Sequence, residues 1–322
     1  MLQLGIAGAG HLGKIHLRCA SDLEEINVVG FYDSDEGVRS KISEELKIPA
    51  FASYQELLAE SEAVDIVTPT PSHHALAMEA LHAGRHVFLE KPVTETPDQA
   101  KELAELASTK NLKIQVGHVE RFNPAFLAVG ELALNPMFIE GHRLSIFNPR
   151  GTDVSVVLDL MIHDLDLLLA CVPSEVKDVD ASGVTVISDT PDIANARIRF
   201  ENGCVANLTA SRISLKQMRK FRLFQNDAYI SMDFLEKKTE VIRMLEDEQV
   251  INFPGQVMDL VTNKGTKKIG IHLPEIPEVN AIKKELEKFA DCIARDQEPL
   301  VGIKDGYRAL KLAFDIMNQI KS

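Results

Sequence analysis

Three groupings of side chains in this chain are equipped for chemistry. The first is Gly8-Ala9-Gly10-His11-Leu12-Gly13, a glycine turn between an apolar run and a helical stretch. Glycines at these spacings let a backbone turn tightly, approach a pyrophosphate and pack a helix closely on a strand, so anion binding by backbone N–H groups is expected. The second is Glu90-Lys91-Pro92, directly after the apolar run His86 to Leu89. A charged pair at the carboxyl end of a buried strand is costly unless each ion is paired or solvated in a cleft. Lys91 is therefore a functional candidate; the plainer alternative is a surface lysine after a strand. The third lies in Val156 to Cys171, apolar except for a few residues among which Asp159, His163 and Asp166 recur at spacings of four and three. Helical winding puts those three on one face, and a polar stripe on a buried helix lines a cleft. Two other readings remain: an aspartate near the helix start pairing with His163, or a metal site of two carboxylates and a histidine. No further Cys or His cluster supplies ligands, so no metal is expected.

These groups need a scaffold. Leu2 to Ala7 reads as a strand, Lys14 to Ala20 as a helix and Asn27 to Tyr32 as a second strand ending in Asp33, the position about 20 residues past the glycines where a carboxylate meets the adenosine ribose. Gly8, Gly10, His11, Leu12 and Gly13 form the expected pyrophosphate loop. Asp33 repels a 2′-phosphate and Ser34-Asp35 brings no arginine to bind one, so NAD is favoured over NADP; the alternative for Asp33 is a turn residue. Helices at Val38 to Leu46 and Tyr54 to Ala59 flank a short strand at Ala50-Phe51. The strand Val64 to Val67 runs into Thr68-Pro69-Thr70-Pro71-Ser72-His73-His74, a stiff loop at the sheet edge where ligands bind. Thr68, Thr70, Pro71 and His74, with Glu90 and Lys91, are the remaining expected cofactor contacts. A helix from His74 to Ala83, a helix from Pro97 to Thr109 and a strand from Lys113 to Val116 complete a dinucleotide-binding unit over residues 1–118.

Residues 119–322 change character. Met137 to Phe147, Val176 to Val186, Ile193 to Phe200, Cys204 to Arg212, Phe221 to Gln225 and Ala228 to Phe234 read as strands, with hairpin turns at Glu201-Asn202-Gly203 and Asn226-Asp227. Val279 to Ile293 and Asp305 to Ile320 read as amphipathic helices. The expected class is an α/β Rossmann domain followed by an α+β domain with a large, mostly antiparallel open sheet.

A chain of 322 residues exceeds one hydrophobic core, which agrees with two domains. With 35 basic against 48 acidic residues the net charge is −13, which repels nucleic acid. No apolar run approaches the roughly 20 residues needed to cross a bilayer. The N-terminus runs straight into a strand, leaving no room for a signal sequence, and Cys19, Cys171, Cys204 and Cys292 have no paired spacing. A cytoplasmic protein with reduced thiols is expected.

Taken together, Gly8-x-Gly10-x-x-Gly13, Thr70-Pro71 with His74, Glu90-Lys91-Pro92 and Asp159-x-x-x-His163 resemble the glucose–fructose oxidoreductase / inositol dehydrogenase / MocA family across almost the whole chain. The resemblance implies that Lys91, Asp159 and His163 line the site beside the nicotinamide. It also implies that the second domain's sheet mediates a homodimer or homotetramer. Gly117-His118-Val119-Glu120-Arg121-Phe122-Asn123-Pro124 and Val157 to Asp166 are similar to the branch that oxidises the 3-hydroxyl of UDP-N-acetylhexosamines or their uronates. Residues 141–154 depart from that branch. Arg121, Asn123 and Arg150 are candidate contacts to an anionic or hydroxylated sugar, each with a structural arginine or a cap as the alternative. Oxidation of a secondary alcohol needs a base for the hydroxyl proton. Neutral His163 suits that role, with Asp159 orienting it or binding a neighbouring hydroxyl and Lys91 stabilising the alkoxide; the reverse, with Lys91 as the base, stays open. The competing functions are a dehydrogenase of a free polyol, inositol or simple sugar, and a non-catalytic dinucleotide sensor.

Overall fold

A computed structural model describes residues 1–130, 132–148, 154–251, 253–263 and 265–321. Its N-terminal part alternates strands and helices: β1 (Leu2–Ala7), α1 (His11–Ser21), β2 (Ile26–Tyr32), α2 (Glu36–Leu46), α3 (Tyr54–Glu60), β3 (Ala63–Ile66), α4 (His73–His82), β4 (His86–Glu90), α5 (Pro97–Lys110) and β5 (Ile114–Gly117). The strands form a parallel sheet in the order β2-β1-β3-β4-β5. β3 and β5 are buried along their whole length, as a parallel sheet covered on both faces requires. Helix starts follow their caps: Asp35 accepts from the N–H groups of Gly37 and Val38, and Thr96 with Gln99 forms a capping box for α5. The strand expected at Ala50-Phe51 is reduced to a single bridge from Ala50 to Phe31.

Beyond β5 come the short α6 (Pro124–Leu127), β6 (Phe138–Leu144), a π-helical turn at Val157–Met161 and α7 (Ile162–Cys171). Strands β7 (Val176–Val184), β8 (Ile193–Phe200), β9 (Val205–Ser211), β10 (Met218–Phe224), β11 (Ala228–Asp233) and β12 (Lys238–Leu245) follow. Then come α8 (Asp247–Val250), β13 (Gln256–Thr262) and β14 (Gly265–His272). Among the described residues they form one sheet ordered β13-β14-β12-β11-β10-β6-β9-β8-β7. Its pairings are antiparallel except β6 against β9. Both expected hairpins are present, with Gly203 at φ +89° in the first, a conformation that glycine adopts without strain. Burial alternates along β8 and β11, so one face of these strands is covered and the other is open.

The last helices are α9 (Ala281–Ala294) and α10 (Ile303–Lys321). The chain divides into two compact units, Met1–Phe122 with Val279–Lys311, and Asn123–Glu278 with Leu312–Ser322. This differs from a single break after residue 118, because residues 279–311 return to the first unit. α9 puts Leu286, Phe289, Ala290 and Cys292 into the core with Leu17, Cys19, Ala20, Phe31 and Phe88. Val116 donates to the Val301 carbonyl at 2.9 Å, adding an edge contact to β5. An amphipathic helix goes where its apolar stripe is buried, and order along the chain does not say where that is. Among the described residues no helix is long and apolar enough to cross a membrane.

Candidate active site

The glycine turn is built as its spacing requires. Gly8 has φ +97°, and a Cβ there would stand 2.8 Å from the Val67 carbonyl oxygen. A Cβ on Gly13 would fall 1.9 Å from the Gly8 oxygen, so close packing of α1 on β1 depends on glycine. Around Gly10 the space is open, and His11 and Leu12 beside it are exposed. Gly10 caps α1 without a side chain, and the first turn holds no acid, leaving its N–H groups for an anion. Asp33 stands at the end of β2, where Oδ2 accepts from the Ala9 N–H at 2.8 Å and Oδ1 from the Asp35 N–H at 3.0 Å. Arg39, one helical turn into α2, reaches back to the carbonyls of Asp33 and Ser34 at 2.7 and 3.3 Å. These residues fit a dinucleotide: a tight turn, an open approach at Gly10 and a fixed carboxylate at the strand end.

At the ends of β3 and β4 two loops are tied together by His73. Its Nε2 lies 2.8 Å from the Thr68 carbonyl and its Nδ1 2.9 Å from the Pro92 carbonyl. Burial lowers the pKa of this ring. The Thr68 hydroxyl accepts from Ser72, and Thr70 and Pro71 form a 3-10 turn before α4. His74 turns to α5, with Nε2 2.9 Å from Glu102. The sequence reading singled out His74; the loop tie is its neighbour. Glu90 is 7% exposed, and Oε2 accepts the Lys91 N–H at 3.0 Å. The Lys91–Pro92 peptide is cis, and Lys91 itself is half-buried.

In the other unit, Asp159 lies in the π-helical turn and His163 in the first turn of α7, both half-buried. Asp166, expected on the same face, is buried at 1% exposure. Single π turns inside helices recur at functional sites. Two arginines anchor this segment. Arg212, from the turn after β9, donates to the Val154 carbonyl just ahead of the π turn. Arg143 on β6 makes a bidentate pair with Asp164, its Nη2 donating to Oδ1 at 2.7 Å and its Nε to Oδ2 at 3.1 Å. Both partners are almost fully buried. Beside Arg212, burial would raise the Asp192 pKa, but donors from Ile187, Ser188 and Val186 hold it well below the usual carboxylate range.

The remaining predicted contacts divide. Arg121 follows β5 in a 3-10 turn, with Nη2 3.9 Å from Asp305. Asn123 caps α6, accepting from the Ala125 N–H at 3.0 Å, and donates to the Phe234 carbonyl at 3.3 Å. Its amide is engaged as a cap. Arg150 lies outside the described residues.

Comparison with known proteins agrees with this geometry. The family model described as "Oxidoreductase family, NAD-binding Rossmann fold" matches residues 2–118, and the GFO/IDH/MocA C-terminal domain model matches residues 139–230. The UDP-N-acetylglucosamine 3-dehydrogenase of Acidithiobacillus ferrooxidans is 34% identical over 98% of this chain and 96% of its own. A solved structure of that A. ferrooxidans enzyme superposes with a TM-score of 0.89 at 32% identity, covering 99% of this chain and 98% of that one. The scyllo-inositol 2-dehydrogenase (NAD(+)) of Bacillus subtilis is 22% identical over 100% of this chain and 94% of its own. The chain belongs to the glucose–fructose oxidoreductase / inositol dehydrogenase / MocA family of NAD-binding oxidoreductases.

Proposed function

We propose that this protein is an NAD-dependent dehydrogenase that oxidises the 3-hydroxyl of a nucleotide-linked N-acetylhexosamine, with Lys91, Asp159 and His163 carrying the chemistry. The observation that supports this substrate class most is the 34% identity to the A. ferrooxidans enzyme, which runs through 98% of the chain. The loop from Gly8 to Gly13, Asp33 and the Thr68 to Pro71 turn hold the dinucleotide. NAD, when bound, accepts the hydrogen that leaves the carbon with its electron pair. The His163 imidazole accepts the hydroxyl proton, as a neutral ring nitrogen within reach of the hydroxyl can. Asp159 orients that ring, and the Lys91 ammonium holds the oxygen as it gains charge. We place the protein in the cytoplasm, which the four buried cysteine thiols support. We also read it as a homo-oligomer associating through the second unit's sheet. There Met244, Ile269 and Met258 stand in register across β12, β14 and β13, with both methionines exposed.

A substrate panel tests the reading. UDP-N-acetylglucosamine and its uronate should reduce NAD and yield a product two hydrogens lighter by mass spectrometry, while myo- and scyllo-inositol and free hexoses give rates near background. Turnover of the free polyols with none on nucleotide sugars would replace the proposed substrate with the alternative class.

A further inference from the structure

Four ionisable side chains cluster deep in the first unit, and of these only Glu90 has a role above. His16 on α1, Asp65 on β3, Glu90 on β4 and Glu285 on α9 are all 7% exposed or less. His16 Nδ1 is 2.8 Å from Asp65 Oδ2, and Nε2 is 3.3 Å from Glu90 Oε1. A Glu285 oxygen lies within 4.8 Å of both the His16 and Glu90 atoms, and neither of its oxygens has a hydrogen-bond partner among the described residues. Gln115 on β5 donates to the Glu285 carbonyl at 2.7 Å, and Phe88 presents its ring edge-on to the imidazole at 5.8 Å. Cys19 on α1, His73 on α4 and Lys91 are further titratable groups within electrostatic reach.

Three ionised carboxylates around a neutral imidazole would be untenable at this depth. Protons or a metal cation must offset them, and the ring decides between the two. Nδ1 shares a hydrogen bond with Asp65 while Nε2 faces Glu90 at ion-pair distance without one; a ring protonated at both nitrogens suits two facing carboxylates and has no lone pair left for a metal. Burial alone would lower the His16 pKa, but Asp65 and then Glu90 hold it well above the ordinary value. Burial pushes Asp65 up against the opposing charge of His16. Burial, then the charge of Glu90, pushes Glu285 well up, toward its protonated form. Burial also acts to raise Glu90, but His16 and Lys91 outweigh it and keep the carboxylate ionised.

We propose that His16 is a positioning residue for Lys91: a buried imidazolium held by Asp65 fixes the Glu90 carboxylate, whose other oxygen holds the Lys91 backbone. Space for that carboxylate is made by Gly117, where a Cβ would stand 2.7 Å from Glu90 Oε1. If His16 lost its extra proton, one bare nitrogen would face a carboxylate, Glu90 would turn away, and the Lys91 N–H would lose its acceptor. The inference rests on Lys91 taking part in turnover, as proposed above.

The test compares His16→Gln, Asp65→Asn and Lys91→Ala in the full-length protein. His16→Gln and Asp65→Asn, which removes the carboxylate that holds the ring, should each lower kcat about tenfold to a hundredfold, the scale of a small misplacement, while the Kd for NAD stays within about twofold. In the native protein, 15N NMR should show one histidine, absent from the His16→Gln spectrum, that remains an imidazolium after the other histidines have lost their charge. Wild-type kcat in folded His16→Gln overturns the proposal, as does a neutral His16 ring. If His16→Gln does not fold, wild-type turnover in Asp65→Asn overturns it. A stoichiometric metal found by elemental analysis, removed by chelator together with activity, replaces the proton with a cation. Unchanged turnover in Lys91→Ala would instead sink the catalytic reading of Lys91, a result distinct from these.

Discussion

At the scale of single residues, Asp33 is the proposed determinant of cofactor choice. Its carboxylate is held by the Ala9 and Asp35 N–H groups, so a 2′-phosphate arriving there meets a fixed like charge. Asp33→Ser should lower the ratio of kcat/KM for NAD over NADP by roughly tenfold or more, since like-charge contact costs at least the ~1.4 kcal/mol that tenfold represents. An unchanged ratio in paired steady-state assays would show that specificity lies elsewhere, with Arg39 the first place to look. The glycine roles were legible in the sequence because each is a local constraint of turn, approach or packing. Arg39 was not, because the winding of α2 returns it to Asp33 from six positions downstream. His73 and His74 are adjacent, and only the packing of α4 decides which imidazole is buried against the Thr68 and Pro92 carbonyls.

At the scale of elements, the segment carrying Asp159 and His163 is pinned by a buried ion pair to β6. Removing one partner of such a pair strands a charge, so Arg143→Met should cost about 3–5 kcal/mol in denaturant unfolding. The double variant Arg143→Met with Asp164→Leu should recover much of that loss, because an apolar pair leaves no charge behind. A single variant as stable as the wild type would show that the pair does not anchor α7. Periodicity marked Val156 to Cys171 as helical but not the π turn at Val157–Met161, which the alternation of apolar residues does not record. Strands β12, β13 and β14 escaped the sequence reading for a related reason. Charged residues such as Glu240, Arg243, Asp259, Lys267 and Lys268 interrupt their apolar pattern, and pairing with neighbours rather than one-sided burial makes them strands. The parallel pairing of β6 with β9 joins distant segments and has no local signature.

At the scale of the whole molecule, the first unit carries buried groups whose protonation ties its stability to pH. His16 in the first unit has a raised folded-state pKa, so its stabilisation is full below about pH 6.5 and is lost as the pH climbs through that raised value. Glu285, also raised, has the same sign, starting near pH 4.3. Glu90 is lowered, so its contribution is present above about pH 4.3 and fades as the pH falls through its folded-state value. Thermal melts should therefore show the melting temperature declining from about pH 7 upward, and declining less in Glu285→Gln. A flat or rising alkaline profile would contradict the buried-proton picture. Association through the apolar row of Met244, Ile269 and Met258 predicts a dimer or tetramer by light scattering, reduced to monomer by charged substitutions at the two methionines. A monomeric wild type would remove that reading. The class of both parts was legible from the change in strand and helix rhythm near residue 120, whereas the return of residues 279–311 to the first unit was not, since an amphipathic stripe does not name its partner. The most direct test of the account is the fate of one hydrogen: UDP-N-acetylglucosamine carrying deuterium at C3 is incubated with the protein and NAD, and the nicotinamide is recovered for mass spectrometry. Reduced cofactor labelled with that deuterium is expected from the wild type, and almost none from His163→Ala or Lys91→Ala, both of which still bind NAD. Unlabelled reduced cofactor, or full labelling by both variants, would contradict it.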